Sequence, residues 1–157
     1  MRPTTVWFNK SLSSTYNIIE TLRAAQRDGE FRILCSHTNA DFPAFRISDA
    51  FAVEPRGPNE DGYLDYCEEI IRRHGVDVFV PGKMARPIVR ERRRFEALGV
   101  KMIVAANAET LKLLENKAWL YAEIPAGLAP VPDFRVVQTL AGFEEAYALL
   151  RSRGHSV

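Results

Sequence analysis

Apolar and polar positions along the chain follow two kinds of pattern. Short, almost wholly apolar runs predict buried strands, and apolar residues that recur every three or four positions predict amphipathic helices. The predicted strands cover residues 5–8, 31–35, 50–53, 76–80, 100–105 and 134–137. The predicted helices cover residues 12–27, 63–74, 87–98, 107–123 and 142–153. Strands that alternate with helices of this length indicate right-handed βαβ crossovers, so we predict an α/β fold.

The predicted sheet is open and parallel, with a layer of helices on each face and a Rossmann-like order of elements. Strand 31–35 is apolar nearly throughout, as expected for a strand that is covered on both faces. Strand 5–8 is expected at the centre of the sheet, because the chain of a doubly wound sheet usually starts in the middle.

The amino-acid composition of the sequence changes at Pro125. Residues 125–132 contain three prolines and one glycine, which is typical of a stiff connector. We therefore predict a first domain over residues 1–124, a Pro-rich linker over 125–132, and the truncated beginning of a second, α+β domain over 133–157. A helical tail that docks back on the first domain, or that exchanges between chains, is the alternative, and periodicity does not separate these arrangements.

Composition and charge narrow the classes of function. The 157 residues are 46% hydrophobic and 26% charged, which is enough apolar material for a core, and the formal net charge is +1. Such a charge argues against a dedicated nucleic-acid partner and against a polybasic membrane anchor. No signal-peptide pattern and no apolar run of roughly 20 residues is present, so we expect a cytoplasmic protein without a membrane partner.

The two cysteines, Cys35 and Cys67, each lie in an apolar segment. They lack the CxxC spacing of metal and redox sites, and they are too few for a disulfide framework. We predict that both are buried thiols that pack as small apolar groups.

Ligands of open parallel sheets bind beyond the carboxyl ends of the strands, near the point where the strand order reverses. The loop after strand 5–8 is the first candidate and contributes Asn9, Lys10 and Ser11. Hydroxyl groups and a lysine at a helix N-terminus suit a phosphate or a carboxylate. A serine that only caps the helix, beside a solvated Lys10, is an equally good interpretation.

Two further loops follow other predicted strands. His37 and Thr38 come after strand 31–35, where a histidine is more often a surface residue than a base. Lys83 and Arg86 come after strand 76–80 and favour an anionic ligand. The arginines that follow Arg86 are expected to form a solvated face with local ion pairs.

Several motifs are absent from the sequence. No GxGxxG follows the first strand, and Gly82-Lys83 lacks the upstream glycine of a Walker A loop. No HExxH, GxSxG or His/Cys metal cluster is present. We therefore predict no catalytic residue and no metal-binding residue within this chain.

The order of segments resembles the N-terminal part of ATP-grasp ligases, such as the carbamoyl-phosphate synthase large subunit and biotin carboxylase. The resemblance rests on a helix that carries Asn116-Lys117, the link at 131–132, strand 134–137 and the ending Arg-Gly-His-Ser-Val at 153–157. In these ligases a pre-ATP-grasp domain precedes the nucleotide-binding domain. By position Lys117 matches the family's ATP-binding lysine, whereas Asn116 departs from the usual aspartate.

The resemblance implies an ATP-dependent carboxylate–amine or related ligase that acts through an acyl phosphate. This chain would be its substrate-side domain, which forms one wall of the substrate cleft, and the substrate would be a small, anionic molecule. ATP and Mg would bind the full-length enzyme, with neither expected on this piece alone, because the family's phosphate-binding lysine strand and metal carboxylates would lie beyond Val157. A homodimer is left open.

Two alternatives belong to other classes. One is a non-catalytic, Rossmann-like module that binds a small ligand or regulates another protein. The other is a nicotinamide-dependent oxidoreductase, which the missing glycines disfavour.

Overall fold

The structure, a computed structural model, describes residues 2–9, 14–27, 29–125 and 127–154. The chain divides into two compact units, Met1–Leu111 and Lys112–Val157. Each unit is described by itself.

A parallel sheet forms the centre of the first unit. The strands in its described part are β1 (Thr4–Phe8), β2 (Phe31–His37), β3 (Ala50–Val53), β4 (Val78–Val80) and β5 (Lys101–Met102). Their order is β3-β2-β1-β4-β5, and all pairings are parallel. The predicted α/β class and the central place of β1 are therefore confirmed. Because the chain builds one side of the sheet and then crosses to the other, the strand order reverses between β1 and β4.

Helices cover both faces of this sheet. They are α1 (Ser14–Ala25), α2 (Glu60–His74), α3 (Ala85–Arg90) and α4 (Arg92–Glu96), with a short 3-10 helix at Pro43–Ile47. A further helix, α5 (Ala108–Leu114), spans the boundary between the two units in the sequence and has no buried residue. Successive strand residues point to opposite faces. Trp7 accordingly packs with α2, α3 and α4, whereas Val6 and Phe8 pack with α1 and the 3-10 helix.

Local chemistry moves several element ends away from their predicted positions. α2 begins at Glu60, earlier than predicted, because the Asn59 side chain accepts a hydrogen bond from its first turn. It ends at Gly75, whose φ of 61° places the C-cap in the left-handed region. The single helix predicted over 87–98 is broken at Glu91 into α3 and α4. Strands β4 and β5 are shorter than predicted.

The second unit holds α6 (Lys117–Glu123) and α7 (Leu140–Ser152). In the described part of the chain, neither helix contains a buried residue. The strand predicted over 134–137 is wrong, because these residues have no paired neighbour among those described, and a strand exists only through such pairing. The helix predicted over 107–123 is interrupted before Asn116, which caps α6.

Among the described residues, no helix is both long enough and apolar enough to cross a bilayer.

Candidate functional site

Asn9 follows β1 directly at the point where the strand order reverses, and it is fully buried. Its Nδ2 donates to the Lys83 carbonyl oxygen at 2.9 Å and to the Tyr63 hydroxyl oxygen at 3.1 Å. Its Oδ1 accepts from the backbone N–H groups of Gly82, at 2.5 Å, and of Lys83, at 3.3 Å. A side-chain amide has two donor hydrogens and two acceptor lone pairs, so all of them are used. Asn9 thus fastens the end of β1 to the loop after β4.

Lys83 and Glu54 form an ion pair beside this clamp. The Lys83 Nζ lies 3.0 Å from Glu54 Oε2, and the Glu54 side chain is 0% exposed whereas that of Lys83 is 20% exposed. The same Nζ lies 4.6 Å from the centre of the Tyr63 ring, in cation–π contact. The ammonium group is therefore held in one place, and the Lys83 side chain remains partly exposed.

Further donors hold the Glu54 carboxylate. Its Oε1 accepts from the Ser36 hydroxyl at 2.9 Å, and the Ser36 oxygen accepts from Trp7 Nε1 at 2.9 Å. A buried carboxylate is stable only when paired and hydrogen-bonded, and Glu54 meets both conditions.

The cysteine and tyrosine side chains near Glu54 stay neutral at neutral pH. Burial, followed by the charge of Glu54, raises the pKa of Cys35 to about 12 and that of Cys67 further. Burial is also the main reason that the pKa values of Tyr63 and Tyr66 are raised. Both cysteines are free and buried, as predicted, and neither provides a thiolate nucleophile.

Of the other predicted residues, His37 ends β2, Thr38 follows it, and Arg86 lies in α3. The His37 ring stacks on Phe42 with centroids 4.0 Å apart, and its Nδ1 accepts from the Asn39 N–H at 2.9 Å. Thr38 and Arg86 are partly exposed, Arg86 in the first turn of α3. Lys10 and Ser11 lie outside the described residues.

Sequence reasoning missed Glu54 and Tyr63 as members of the site. Glu54 directly follows the apolar strand β3, so the rule that selected the loops after the other strands would also have selected it. Tyr63 lies on the apolar face of α2. The pattern of apolar positions therefore does not predict that its hydroxyl makes a polar contact. Nothing in the sequence indicates that this hydroxyl reaches Asn9.

Lys117, the predicted ATP-binding residue, is the exposed first residue of the seven-residue helix α6. The preceding Asn116 caps this helix by accepting from the N–H groups of Ala118, at 3.0 Å, and Trp119, at 3.2 Å. Asparagine and aspartate are about equally good in this capping role, so Asn116 can replace the family's aspartate here.

A nucleotide–magnesium site needs more than one lysine. Among the described residues, no group of three or more His, Cys, Asp or Glu side chains could hold a metal ion.

No protein-family model matches the sequence, and no curated protein matches it. Solved structures match its fold. An ADP complex of N5-carboxyaminoimidazole ribonucleotide synthetase matches with a TM-score of 0.59 and 16% identity, over 96% of this chain and 36% of that chain. The Staphylococcus aureus N5-carboxyaminoimidazole synthetase with ADP matches with a TM-score of 0.58 and 10% identity, over 96% and 37%.

A biotin carboxylase also matches. The biotin carboxylase subunit of pyruvate carboxylase has a TM-score of 0.51 and 20% identity, over 99% of this chain and 34% of that chain. The chain thus spans about a third of the length of each of these enzymes, and it has the fold of the part that it covers. The resemblance predicted from the segment order is confirmed at the level of fold.

Proposed function

We propose that this chain is the substrate-side domain of an ATP-dependent carboxylate–amine or related ligase that acts through an acyl phosphate. The observation that carries the proposal is the match of nearly the whole chain, 96%, to about a third of a ligase that binds ADP. The proposal includes the domain limits at residues 124 and 132 and a cytoplasmic location. ATP and Mg are assigned to the full-length protein, with Lys117 at the ATP phosphates.

Lys83 is the proposed contact for a small anionic substrate. Its ammonium group has three N–H donors, of which one is directed at Glu54, 3.0 Å away. Because Glu54 balances its charge, Lys83 exerts little long-range attraction, and it would bind a carboxylate or phosphate through short hydrogen bonds. His37, Thr38 and Arg86, with Lys10 and Ser11, are proposed to form the wall around it, and the fully buried Asn9 is proposed to hold the loop that carries Lys83 in place.

A titration of the 157-residue chain with small carboxylates and with inorganic phosphate, followed by NMR, tests this assignment. We expect saturable shifts in the wild type and at least a roughly tenfold weaker affinity in Lys83→Met. The matched control is Lys101→Met, which removes an exposed lysine of β5 and should leave the affinity unchanged. Wild type without saturable binding would contradict the role of Lys83, and so would equal weakening in both variants.

A second candidate function is a non-catalytic ligand-binding module, which the partly exposed Lys83 would serve equally well. The reading frame of the gene distinguishes the two candidate functions. A reading frame that continues past Val157 into a Val-x-Lys-Pro strand and later Glu/Asn metal ligands supports the ligase. A stop codon directly after Val157 favours the module. We expect no ATP hydrolysis by the 157-residue chain in either case, and turnover above background would contradict that.

A further inference from the structure

β3 and β5 lie at opposite ends of the described sheet, and they are protected to different degrees. β5 has two residues and includes the exposed Lys101. Short edge strands that carry lysine resist pairing with other chains. β3 has four residues, Ala-Phe-Ala-Val, without a charge or a proline. Its sequence therefore contains neither a charged residue nor a proline, the residue types that usually keep an edge strand from pairing.

The register of β3 shows which of its backbone groups face away from the sheet. Phe51 is opposite Cys35 and Val53 is opposite His37, while the Glu54 N–H donates to the His37 carbonyl oxygen at 3.0 Å. In a parallel ladder, alternate residues of a strand bond to the same neighbour. Residues 50, 52 and 54 therefore bond to β2, and Phe51 and Val53 turn their N–H and C=O groups outward.

The same two residues expose large apolar side chains. Phe51 is 57% exposed and Val53 is 51% exposed. Residues two apart on a strand lie on the same face, so the two side chains are neighbours. The Phe51 ring also stacks on Phe45 with centroids 4.8 Å apart, which orders it before any partner arrives. Outward backbone groups and an ordered apolar surface thus coincide at these positions.

We propose that β3 pairs in antiparallel orientation with β3 of a second copy of this chain, around a twofold axis at Ala52. Phe51 of each copy then lies opposite Val53 of the other, and each such pair exchanges two backbone hydrogen bonds. Aromatic and β-branched side chains in opposite positions stabilise a sheet. The patch is self-complementary, as a twofold interface requires. The dimer would join the two sheets edge to edge, independently of the function proposed above.

The size of the contact sets the strength of the dimer. Full burial of an aromatic side chain removes about 150–250 Å² from water. Only part of that area remains to be buried on Phe51, which is 57% exposed. Four residues a side therefore bury less than the roughly 1,200 Å² of a standard-size interface. The dimer should exchange with the monomer and depend on concentration.

Sedimentation equilibrium of the 157-residue chain between about 10 μM and about 1 mM measures this association. We expect the weight-average mass to rise towards the dimer in the wild type. Val53→Lys should raise the dissociation constant at least about tenfold, because a lysine on the edge would approach the second copy. Phe51→Lys should raise the dissociation constant of the dimer for the same reason. The matched control is Ile103→Lys, which places the same charge beyond β5 at an equally exposed position and should leave the dimer intact.

Amide hydrogen exchange provides the second readout, and circular dichroism checks that each variant is folded. The amides of Phe51 and Val53 should exchange more slowly as concentration rises, whereas that of Ala52, already bonded to β2, should not change. A wild type that stays monomeric at about 1 mM would overturn the proposal, and the edge would then be open to a strand of another protein. A dimer that survives both β3 variants, or that Ile103→Lys disrupts equally, would overturn it too.

Discussion

At the scale of the residue, Asn9 makes four hydrogen bonds from a fully buried position. We expect Asn9→Ala to lower the free energy of unfolding by about 2–4 kcal/mol, because the Gly82 N–H and the Lys83 carbonyl lose a buried partner. Urea unfolding measures the loss. The control is Asn59→Ala, which removes a helix cap from an exposed position and should cost about 1 kcal/mol. Equal losses in the two variants would contradict the clamp.

The Lys83–Glu54 pair gives a second prediction. Lys83→Met leaves the buried Glu54 carboxylate without its counter-charge and should cost about 3 kcal/mol of the free energy of unfolding. Adding Glu54→Gln removes the charge and should recover at least about 1 kcal/mol, giving a coupling energy in a double-mutant cycle. Urea unfolding of the four proteins measures it. Additive effects would show that the two side chains do not interact.

The sequence identified Asn9 and Lys83 because each follows an apolar strand in a position that the topology brings to one edge. It did not identify their partners. Glu54 and Tyr63 reach the site from β3 and α2, across 29 and 54 residues of sequence separation. The pattern of apolar positions does not indicate which polar groups contact each other across such sequence separations.

At the scale of the element, Gly75 ends α2 with a φ of 61°, and a Cβ added there would meet no atom within 4 Å. The cost of Gly75→Ala is therefore conformational, and we expect it to lower the free energy of unfolding by about 1 kcal/mol. Gly75→Asn should cost less, because asparagine tolerates the left-handed region better than alanine does. Urea unfolding compares them. An alanine variant as stable as the wild type would contradict this account.

Apolar periodicity located strands β1 to β3 closely, but not the internal breaks in helices. The pattern of apolar positions continues through Glu91 and through Asn116, so it predicts one helix where the structure has two. At Asn116 the helix is interrupted because the Asn116 side chain caps the next helix. Residues 134–137 do not form a strand for another reason. A strand forms only by pairing with a neighbouring strand, and the sequence of the segment itself does not specify that neighbour.

At the scale of the whole molecule, the two units differ in burial. The first unit has fully buried side chains, among them Trp7, Tyr63 and Phe79, whereas no residue of α6 or α7 is buried in the described part of the chain. We expect amides of β1 and β2 to exchange only on global unfolding and those of α7 to exchange far faster. Hydrogen exchange followed by NMR measures both. Comparable protection of α7 would contradict the difference.

Acid stability gives the last prediction. A hydrogen bond from Arg2 holds the pKa of Asp77 below its usual value, with burial opposing and the Thr5 N–H adding to the effect. A lowered folded pKa stabilises the protein above the usual pKa, near 3.9, and that contribution is lost as the pH falls through and below it. Urea unfolding of the wild type and Asp77→Asn should therefore show a clear difference near pH 6 that shrinks near pH 3. A constant difference would contradict the linkage.

The central place of β1 has a consequence for how the chain folds. β1 pairs with β2 at a sequence separation of about 27 residues. Its other side pairs with β4, and the hydrogen bond between Thr5 and Asp77, the residue before β4, has a sequence separation of 72 residues. Closing the longer loop costs more entropy, and contacts of high sequence separation slow folding. During synthesis, the β1–β2 pair can form well before β4 has emerged. Until then, one side of the strand that bears Asn9 has no neighbour, and the clamp on Lys83 is among the last contacts to form.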